Sequence, residues 1–260
     1  MTRLEEITRQ MKAEGTKALV PFLTAGYPDR KTFDELVGAV SRSGCRVMEI
    51  GVPFSDPVAD GPVIQASSQQ ALAQGVTLTE ALDMAGRARQ DHGLEVVLMG
   101  YLNPILSLGA HEFARACAKK KVAGIIVPDL PPEEAAGLRD LLAAAGVALI
   151  DLVAPTTTRQ RLENIAAQAA GFLYLVSVTG VTGSGAAAQT DLGDYLKKVA
   201  QVSDLPRYVG FGVSSGEQAA RICQQADGVI IGSALIKLIE GAETGPQAVK
   251  VLEDFLHNVN

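Results

Sequence analysis

The sequence predicts a single (β/α)8 TIM barrel over residues 1–260, with an extra helix at its N-terminus. Three observations favour this α/β fold class: eight short runs rich in Val, Ile and Leu, helical patterns between them, and a length typical of one barrel domain. Strands that alternate with helices must lie parallel, because each helix carries the chain back along the sheet. Eight such units fit a closed barrel better than an open sheet.

The predicted strands follow one another at regular spacing along the chain. They are ALVPFLTAG, RVMEIG, EVVLMG, VAGIIVPD, VALIDLVAP, GFLYLVSV, RYVGFG and DGVIIG. Segments between them, such as KTFDELVGAV and HEFARACAKK, carry apolar residues at helical spacing. Two strand-to-helix loops are long: GVPFSDPVADGP after the second strand and SVTGVTGSGAAAQT after the sixth. Because long loops in compact domains are usually functional, these loops are expected to form the rim of the barrel that carries the active site, at the C-terminal ends of the strands.

Charge and hydropathy exclude several classes of partner. The chain has 23 Lys and Arg against 29 Asp and Glu, a formal charge of -6 that offers no broad attraction to nucleic acid or anionic lipid. The N-terminal stretch lacks the apolar core of a signal peptide, and no later stretch approaches the length of a membrane span. We therefore expect a cytoplasmic protein with no nucleic-acid or membrane partner.

The cysteines and histidines predict neither a disulfide framework nor a metal site. The three cysteines are odd in number, far apart and outside any CxxC pair. The three histidines lack the i, i+4 spacing that would aim two imidazoles at one ion. We expect no metal.

Glu49 is the first candidate catalytic residue. In RVMEIG the pleat of a strand sends Val47 and Glu49 to one face and Met48 and Ile50 to the other. The second face suits packing against the surrounding helices, so Glu49 is expected to point into the barrel mouth. Desolvation there would raise the pKa of Glu49 and let it both give and take a proton. The alternative is a surface glutamate, which the tight turn at 51–53 on the catalytic face of this fold disfavours.

Asp60 is the second candidate catalytic residue. It lies in SDPVADGP, a loop stiffened by Pro53, Pro57 and Pro62, and rigid loops hold catalytic groups well. Both Asp56 and Asp60 could instead satisfy turn backbone, as aspartates before Pro or Gly often do. A functional role is favoured for Asp60, and both interpretations stay open for Asp56.

Three glycine-rich segments predict a phosphate site. They are GVTG at 180–183, GFGVSSGEQ from 210 and GSALIK from 232, and each follows a strand. Glycine lets the backbone approach a ligand closely, and helices starting after Ser214 or Ser233 would offer free N–H groups to an anion. The last two segments follow strands seven and eight, the recurrent phosphate site of this fold. We therefore expect a small phosphorylated substrate, the alternative being simple tight turns.

Two other enzyme classes lack the residues that they need. A Schiff-base aldolase requires a lysine inside the barrel at a strand end, whereas Lys17 precedes the first strand at the opposite rim. Glycosidases also use two carboxylates. However, the absence of Trp and the 5% aromatic content leave little surface for stacking sugars.

The motifs resemble those of the tryptophan synthase α subunit family over the whole chain: PFLTAGYPD at 21–29, MEIGVPFSDPVADGPVIQ at 48–65, then GVTG, GFGVSS and GSAL in order. The resemblance implies retro-aldol cleavage of indole-3-glycerol phosphate to indole and glyceraldehyde 3-phosphate, without a cofactor. In this family the glutamate matching Glu49 protonates indole C3 and takes the proton of the glycerol hydroxyl. The aspartate matching Asp60 accepts a hydrogen bond from the indole N–H.

The resemblance also implies which residues hold the rest of the substrate. The backbone would hold the phosphate at Gly183, Phe211, Gly212, Gly232 and Ser233. The indole pocket would be lined by Phe22, Tyr101, Ile126, Tyr174 and Phe211, of which Phe22, Ile126 and Phe211 could also be ordinary barrel filling. Thr182 would help to place the catalytic aspartate when its loop closes. A basic residue often follows GVTG in relatives, whereas Ser184 and Gly185 follow it here, so closing this loop should cost more entropy.

A tryptophan synthase β subunit is the partner that the resemblance implies, in an α2β2 heterotetramer. The loops at 53–61, 103–104 and 128–132 follow strands two, three and four, so they share the catalytic rim, and their prolines suit a preformed docking surface. Two alternatives stay open. The chain could be a stand-alone lyase that releases free indole, or a barrel that has kept its fold mainly to activate the β subunit. The presence of both Glu49 and Asp60 argues against the second.

Overall fold

The computed structural model describes residues 1–176, 192–210, 212–213 and 215–259. The strands in these ranges are β1 (Ala18–Thr24), β2 (Val47–Gly51), β3 (Glu95–Met99), β4 (Gly124–Ile126), β5 (Ala148–Ile150), β6 (Leu152–Val153), β7 (Leu173–Val176), β8 (Arg207–Gly210) and β9 (Gly228–Ile231). The helices are α1 (Arg3–Ala13), α2 (Arg30–Arg42), α3 (Pro62–Ala73), α4 (Leu78–His92), α5 (Leu102–Leu108), α6 (Ala110–Lys120), α7 (Ala136–Ala144), α8 (Arg159–Gln168), α9 (Leu192–Ala200), α10 (Gly216–Cys223), α11 (Ser233–Glu240) and α12 (Gly245–Val259). A 3-10 turn at Pro132–Glu134 precedes α7.

The strands form the predicted parallel barrel, in the order β5-β4-β3-β2-β1-β9-β8-β7-β6. β1, β2 and β3 are buried along their whole length, as expected for parallel strands covered by helices on one side and by the barrel interior on the other. None of the described helices is long and apolar enough to span a lipid bilayer.

The fifth predicted strand is divided into β5 and β6 at Asp151. β5 pairs with β4 and β6 pairs with β7, so the chain through Asp151 joins the two ends of the sheet. The Asp151 carboxylate is buried and accepts hydrogen bonds of 2.7 and 3.1 Å from the Arg139 guanidinium on α7. Its carbonyl accepts a hydrogen bond from the Tyr174 N–H on β7. The break is therefore held in place by a buried ion pair.

The predicted N-terminal helix, α1, closes the N-terminal end of the barrel. Its Leu4 is fully buried at the starts of two strands, since a methyl group placed on Gly124 or Gly171 would lie 2.8 or 3.0 Å from the Leu4 side chain. Arg3 Nε lies 2.8 Å from Glu95 Oε1 at the start of β3, which fixes the helix to the sheet. Access for a substrate is thus from the opposite end, where the strands terminate.

Candidate active site

Glu49 lies within β2 on the face of the sheet that points into the barrel. It is 1% exposed, and its neighbours in register are Phe22 on β1 and Val97 on β3. Its Oε2 atom has no hydrogen-bond partner among the described residues. Burial raises the pKa of Glu49 to about 8, with a further contribution from the negative charge of Asp60. At neutral pH this carboxyl group holds its proton and can act as an acid.

Asp60 ends the loop between β2 and α3 and is half-buried at the same rim. Burial raises its pKa to about 6, and the hydrogen bond from the Tyr101 hydroxyl opposes that increase. The Gln65 side chain on α3 donates to the Asp60 carbonyl at 2.8 Å and fixes the end of the loop. At neutral pH Asp60 is mostly ionised, so the two carboxyl groups differ in protonation state.

Tyr101 connects the Asp60 loop to the N-terminus of α5. Its hydroxyl donates to Asp60 Oδ2 at 3.1 Å and accepts from the Ala59 N–H at 3.1 Å. Its ring stacks on Phe54, with the ring centroids 5.1 Å apart. Tyr101 is expected from the sequence to line the indole pocket, but its bond to Asp60 was not predicted. The two residues follow different strands, so no local pattern could reveal the contact.

Three other expected pocket residues, Phe22, Ile126 and Tyr174, are buried in β1, β4 and β7. The Tyr174 ring occupies the space beside Gly210 at the end of β8, because a methyl group placed there would lie 2.6 Å from the ring carbon Cε1. Ile126 pairs in register with Ile150 on β5. All three positions suit barrel filling as well as substrate contact, so their contact with a ligand stays a prediction.

The glycines and the helix start that are expected to hold a phosphate follow β8 and β9. Gly212 has a φ of +70°, a conformation that side chains disfavour, so glycine is required there. α11 begins at Ser233 with Gly232 as its N-cap, and within the described ranges no side chain caps its first N–H groups. Those groups have no partner within the helix and face outward from its N-terminus. α10 begins at Gly216, with Ser215 as its N-cap, one residue later than the start expected after Ser214.

The remaining expected site residues separate into two groups. Thr182, Gly183 and Phe211 lie outside the described residues, as do the whole strand-six loop and Ser214. Asp56 is exposed, and its nearest polar contact is the neighbouring Ser55 hydroxyl. The turn interpretation therefore suits Asp56, which is not part of the buried pair.

A cavity of about 240 Å³ lies at this rim, between the loop after β4 and the strands β5 and β6. Its lining is mainly apolar and includes residues 127–132, Leu152 and Arg161. Neither Glu49 nor Asp60 lines it, so the cavity is distinct from the pair of carboxyl groups.

The fold and the site define a class of protein. A (β/α)8 barrel that carries two desolvated carboxyl groups with different pKa values at the C-terminal ends of its strands has the arrangement of an enzyme that catalyses by proton transfer.

Comparison with known proteins identifies the family. The family model described as tryptophan synthase alpha chain matches residues 8–259, so the chain belongs to the tryptophan synthase α chain family. The tryptophan synthase alpha chain of Geobacter sp. (strain M21) is 46% identical over 246 residues, which cover 94% of this chain and 92% of that relative. The alpha chain of Polynucleobacter asymbioticus is 43% identical over 260 residues, which cover 100% and 98%. The resemblance inferred from the motifs is confirmed.

Solved structures agree with the predicted fold. The tryptophan synthase subunit alpha from Legionella pneumophila str. Paris has a TM-score of 0.90 at 36% identity, covering 100% of this chain and 97% of that chain. A chain of tryptophan synthase from M. tuberculosis, in its aminoacrylate-bound form, has a TM-score of 0.87 at 35% identity, covering 100% of both chains.

Proposed function

We propose that this chain cleaves indole-3-glycerol phosphate to indole and glyceraldehyde 3-phosphate, as the α subunit of a tryptophan synthase in tryptophan biosynthesis. The observation that carries this proposal is the pair of carboxyl groups at the rim, with pKa values of about 8 for Glu49 and about 6 for Asp60. Around pH 7 one group is an acid and the other an acceptor, and this reaction needs one of each. Family membership supports the choice of substrate.

The first step is proton transfer to the indole ring. The protonated Glu49 carboxyl donates its proton to indole C3. The electron pair of the C2–C3 double bond forms the new C–H bond, and the lone pair of the ring nitrogen forms a double bond to C2. Positive charge then develops on the nitrogen, and the ionised Asp60 accepts a hydrogen bond from the N–H and stabilises that charge. The tautomerised indole is now an electron sink, so no Schiff base is required.

The second step breaks the carbon–carbon bond between the ring and the glycerol chain. The Glu49 carboxylate takes the proton of the adjacent glycerol hydroxyl, the oxygen forms a carbonyl, and the electron pair of the broken bond returns to the ring. Indole regains its aromaticity, glyceraldehyde 3-phosphate leaves as the aldehyde, and Glu49 is again protonated. Asp60 is unchanged, since it accepts a hydrogen bond from the indole N–H but transfers no proton.

Substrate binding would use two parts of the rim. We assign the phosphate to the backbone at Gly212, Gly232 and Ser233, and the uncapped N-terminus of α11 supports this assignment. Family resemblance adds Gly183 and Phe211 to the phosphate site, and Thr182 to the loop that closes over it. The indole ring would lie among Phe22, Tyr101, Ile126, Tyr174 and Phe211.

A tryptophan synthase β subunit is the partner that we propose, in a cytoplasmic α2β2 complex. Two large apolar side chains are exposed at the rim, Val58 at 82% in the Asp60 loop and Leu106 at 58% on α5. Burying them against a partner would stabilise a complex, and a partner there would keep apolar indole from diffusing away. Contact with Val58 would also restrict the loop that holds Asp60 and so raise turnover.

Indole release from indole-3-glycerol phosphate tests the catalytic assignment. Glu49→Gln should lower kcat by roughly 10²-fold to 10⁴-fold, the usual cost of losing acid–base catalysis. Asp60→Asn should also impair turnover, whereas its matched control Asp56→Asn, in the same loop but exposed, should keep the activity of the isolated chain. A Glu49→Gln variant with a tenth of the normal kcat would exclude Glu49 as the main proton carrier.

Addition of a related β subunit tests the partnership. We expect co-sedimentation and higher lyase turnover at micromolar concentrations, and we expect Val58→Asp to weaken both while keeping the basal activity of the isolated chain. Absence of co-sedimentation and of activation would favour the stand-alone lyase.

A further inference from the structure

The Phe22 ring lies between two glycines at the ends of neighbouring strands. A methyl group placed on Gly51, the last residue of β2, would overlap the far edge of the ring, with Cε2 only 2.7 Å away. A methyl group on Gly232, just after β9, would lie 3.3 Å from ring carbon Cδ1 on the near edge. In the sheet β1 lies between β2 and β9. The near edge of the ring is beside Gly232 and its far edge is over Gly51, so the ring reaches from β1 across the end of β2.

Gly51 is required for space and not for backbone freedom. It is the final residue of a regular strand, and its φ is not among the positive values found at described glycines. From the sequence, Gly51 is expected to belong to a tight turn at 51–53. The structure instead shows that the missing side chain leaves the room that the Phe22 ring occupies.

The same ring lies beside Glu49. Phe22 and Glu49 are partners in register, and Gly51 is two residues nearer the rim on the same face of β2. An aromatic ring that starts beside Glu49 and ends over Gly51 is on the rim side of Glu49, where it can shield the carboxyl group from water. Phe22 is 6% exposed and Glu49 1%. The other neighbour in register, Val97, is apolar, and Asp60 is the charged group that acts on Glu49 among the described residues.

We infer that Gly51 is a positioning residue for Glu49: its lack of a side chain seats the Phe22 ring over the carboxyl group, and a side chain at position 51 would open that cover. The inference rests on the proposed function for its consequence in catalysis. With the ring displaced, water would reach Glu49 and its pKa would fall from about 8 toward the ordinary value. Glu49 would then lose the proton that it must donate.

Gly51→Ala tests this inference through the pH dependence of kcat/KM for indole-3-glycerol phosphate. We expect the alkaline limb, near pH 8 in the wild type, to move down by at least one unit, which lowers activity about tenfold at alkaline pH. Gly51→Ala/Phe22→Leu should recover much of the profile, because leucine lacks the outer ring atoms that meet the methyl group while it still covers Glu49. Gly137→Ala is the matched control, since Gly137 is exposed on α7 with open space around it.

Direct titration of the Glu49 carboxyl gives a readout that does not require activity. Carbon-13 NMR of glutamate-labelled protein, with Glu49→Gln to assign the signal, should show a lower midpoint in Gly51→Ala than in the wild type, and circular dichroism should show both folded. If Gly51→Ala fails to fold, Phe22→Ala removes the cover directly and should show the same shift. An unchanged limb and midpoint in a folded Gly51→Ala, or in Phe22→Ala, would overturn the inference.

The two proposals can fail separately. Wild-type cleavage that Glu49→Gln abolishes, together with an unshifted Gly51→Ala profile, would refute the role of Gly51 and keep the proposed function. Absence of cleavage by the wild type would refute the function, while the carboxyl titration would still decide whether the ring shields Glu49.

Discussion

Replacing Glu49 by glutamine should make the stability of the protein less sensitive to pH. The folded chain keeps the Glu49 proton up to about pH 8, whereas the unfolded chain releases it near the ordinary value of 4.5. Between these values the folded state binds more protons than the unfolded state, so the free energy of unfolding decreases as pH rises. Glutamine does not titrate, so the variant should gain stability relative to the wild type over this interval.

The magnitude follows from the two pKa values. At about 1.4 kcal/mol per pKa unit, the difference between about 8 and 4.5 sets an upper limit of about 5 kcal/mol, of which about 4 kcal/mol falls between pH 5 and 9. Water entering around the ionised group would reduce this figure, so we expect a relative gain of about 2–4 kcal/mol. Glu49 Oε2 has no hydrogen-bond partner in the part of the chain that the structure describes, and a glutamine there adds a constant cost of about 1–3 kcal/mol that does not vary with pH.

Urea unfolding followed by circular dichroism at intervals from pH 5 to 9 measures this difference. Glu134→Gln, which removes an exposed carboxyl group before α7, is the control and should show no comparable trend. A stability difference between Glu49→Gln and wild type that stays constant within about 0.5 kcal/mol across this range would show that burial does not hold the proton on Glu49.

Three further predictions concern the groups around the carboxyl pair. Tyr101→Phe removes the hydrogen bond that lowers the pKa of Asp60, so the acidic limb of the pH–rate profile should move to higher pH; a limb that stays in place would remove Tyr101 from this role. Gly232→Val should weaken binding of indole-3-glycerol phosphate and of glycerol phosphate alike, by about tenfold or more, and a loss confined to indole recognition would refute the phosphate assignment. Arg139→Met leaves Asp151 buried without its partner and should cost about 3 kcal/mol in urea unfolding, whereas a cost below about 1 kcal/mol would show that the ion pair does not hold the β5–β6 break.

The fold could be predicted because its signals are local. Each strand is a short apolar run and each helix an amphipathic one, so alternation was visible without any long-range contact. The division of the fifth strand was not predictable. It depends on Asp151 meeting Arg139 on α7. Asp151 is the one charged residue in the run VALIDLVAP, but the run does not show that it meets an arginine on a helix.

The candidate site was predictable where strand geometry alone decides the direction of a side chain. The alternation of β2 correctly gave Glu49 a buried position, but local sequence favoured Asp60 only slightly over Asp56, which is exposed. Only the tertiary contact with Tyr101 separates the two aspartates. The same limit applies to Gly51, because the Phe22 ring on the neighbouring strand occupies the space that a side chain at position 51 would need.

The most direct test of the central claim is the pH dependence of indole-3-glycerol phosphate cleavage by the wild type and by Glu49→Gln. A protonated Glu49 and an ionised Asp60 coexist mainly between the two pKa values, so the wild-type kcat/KM should be bell-shaped with limbs near pH 6 and pH 8. Glu49→Gln should be slower by at least about 10²-fold and should lack the alkaline limb. A wild-type rate that is constant from pH 5 to 9, or an alkaline limb that persists in Glu49→Gln, would contradict the assignment of the proton to Glu49.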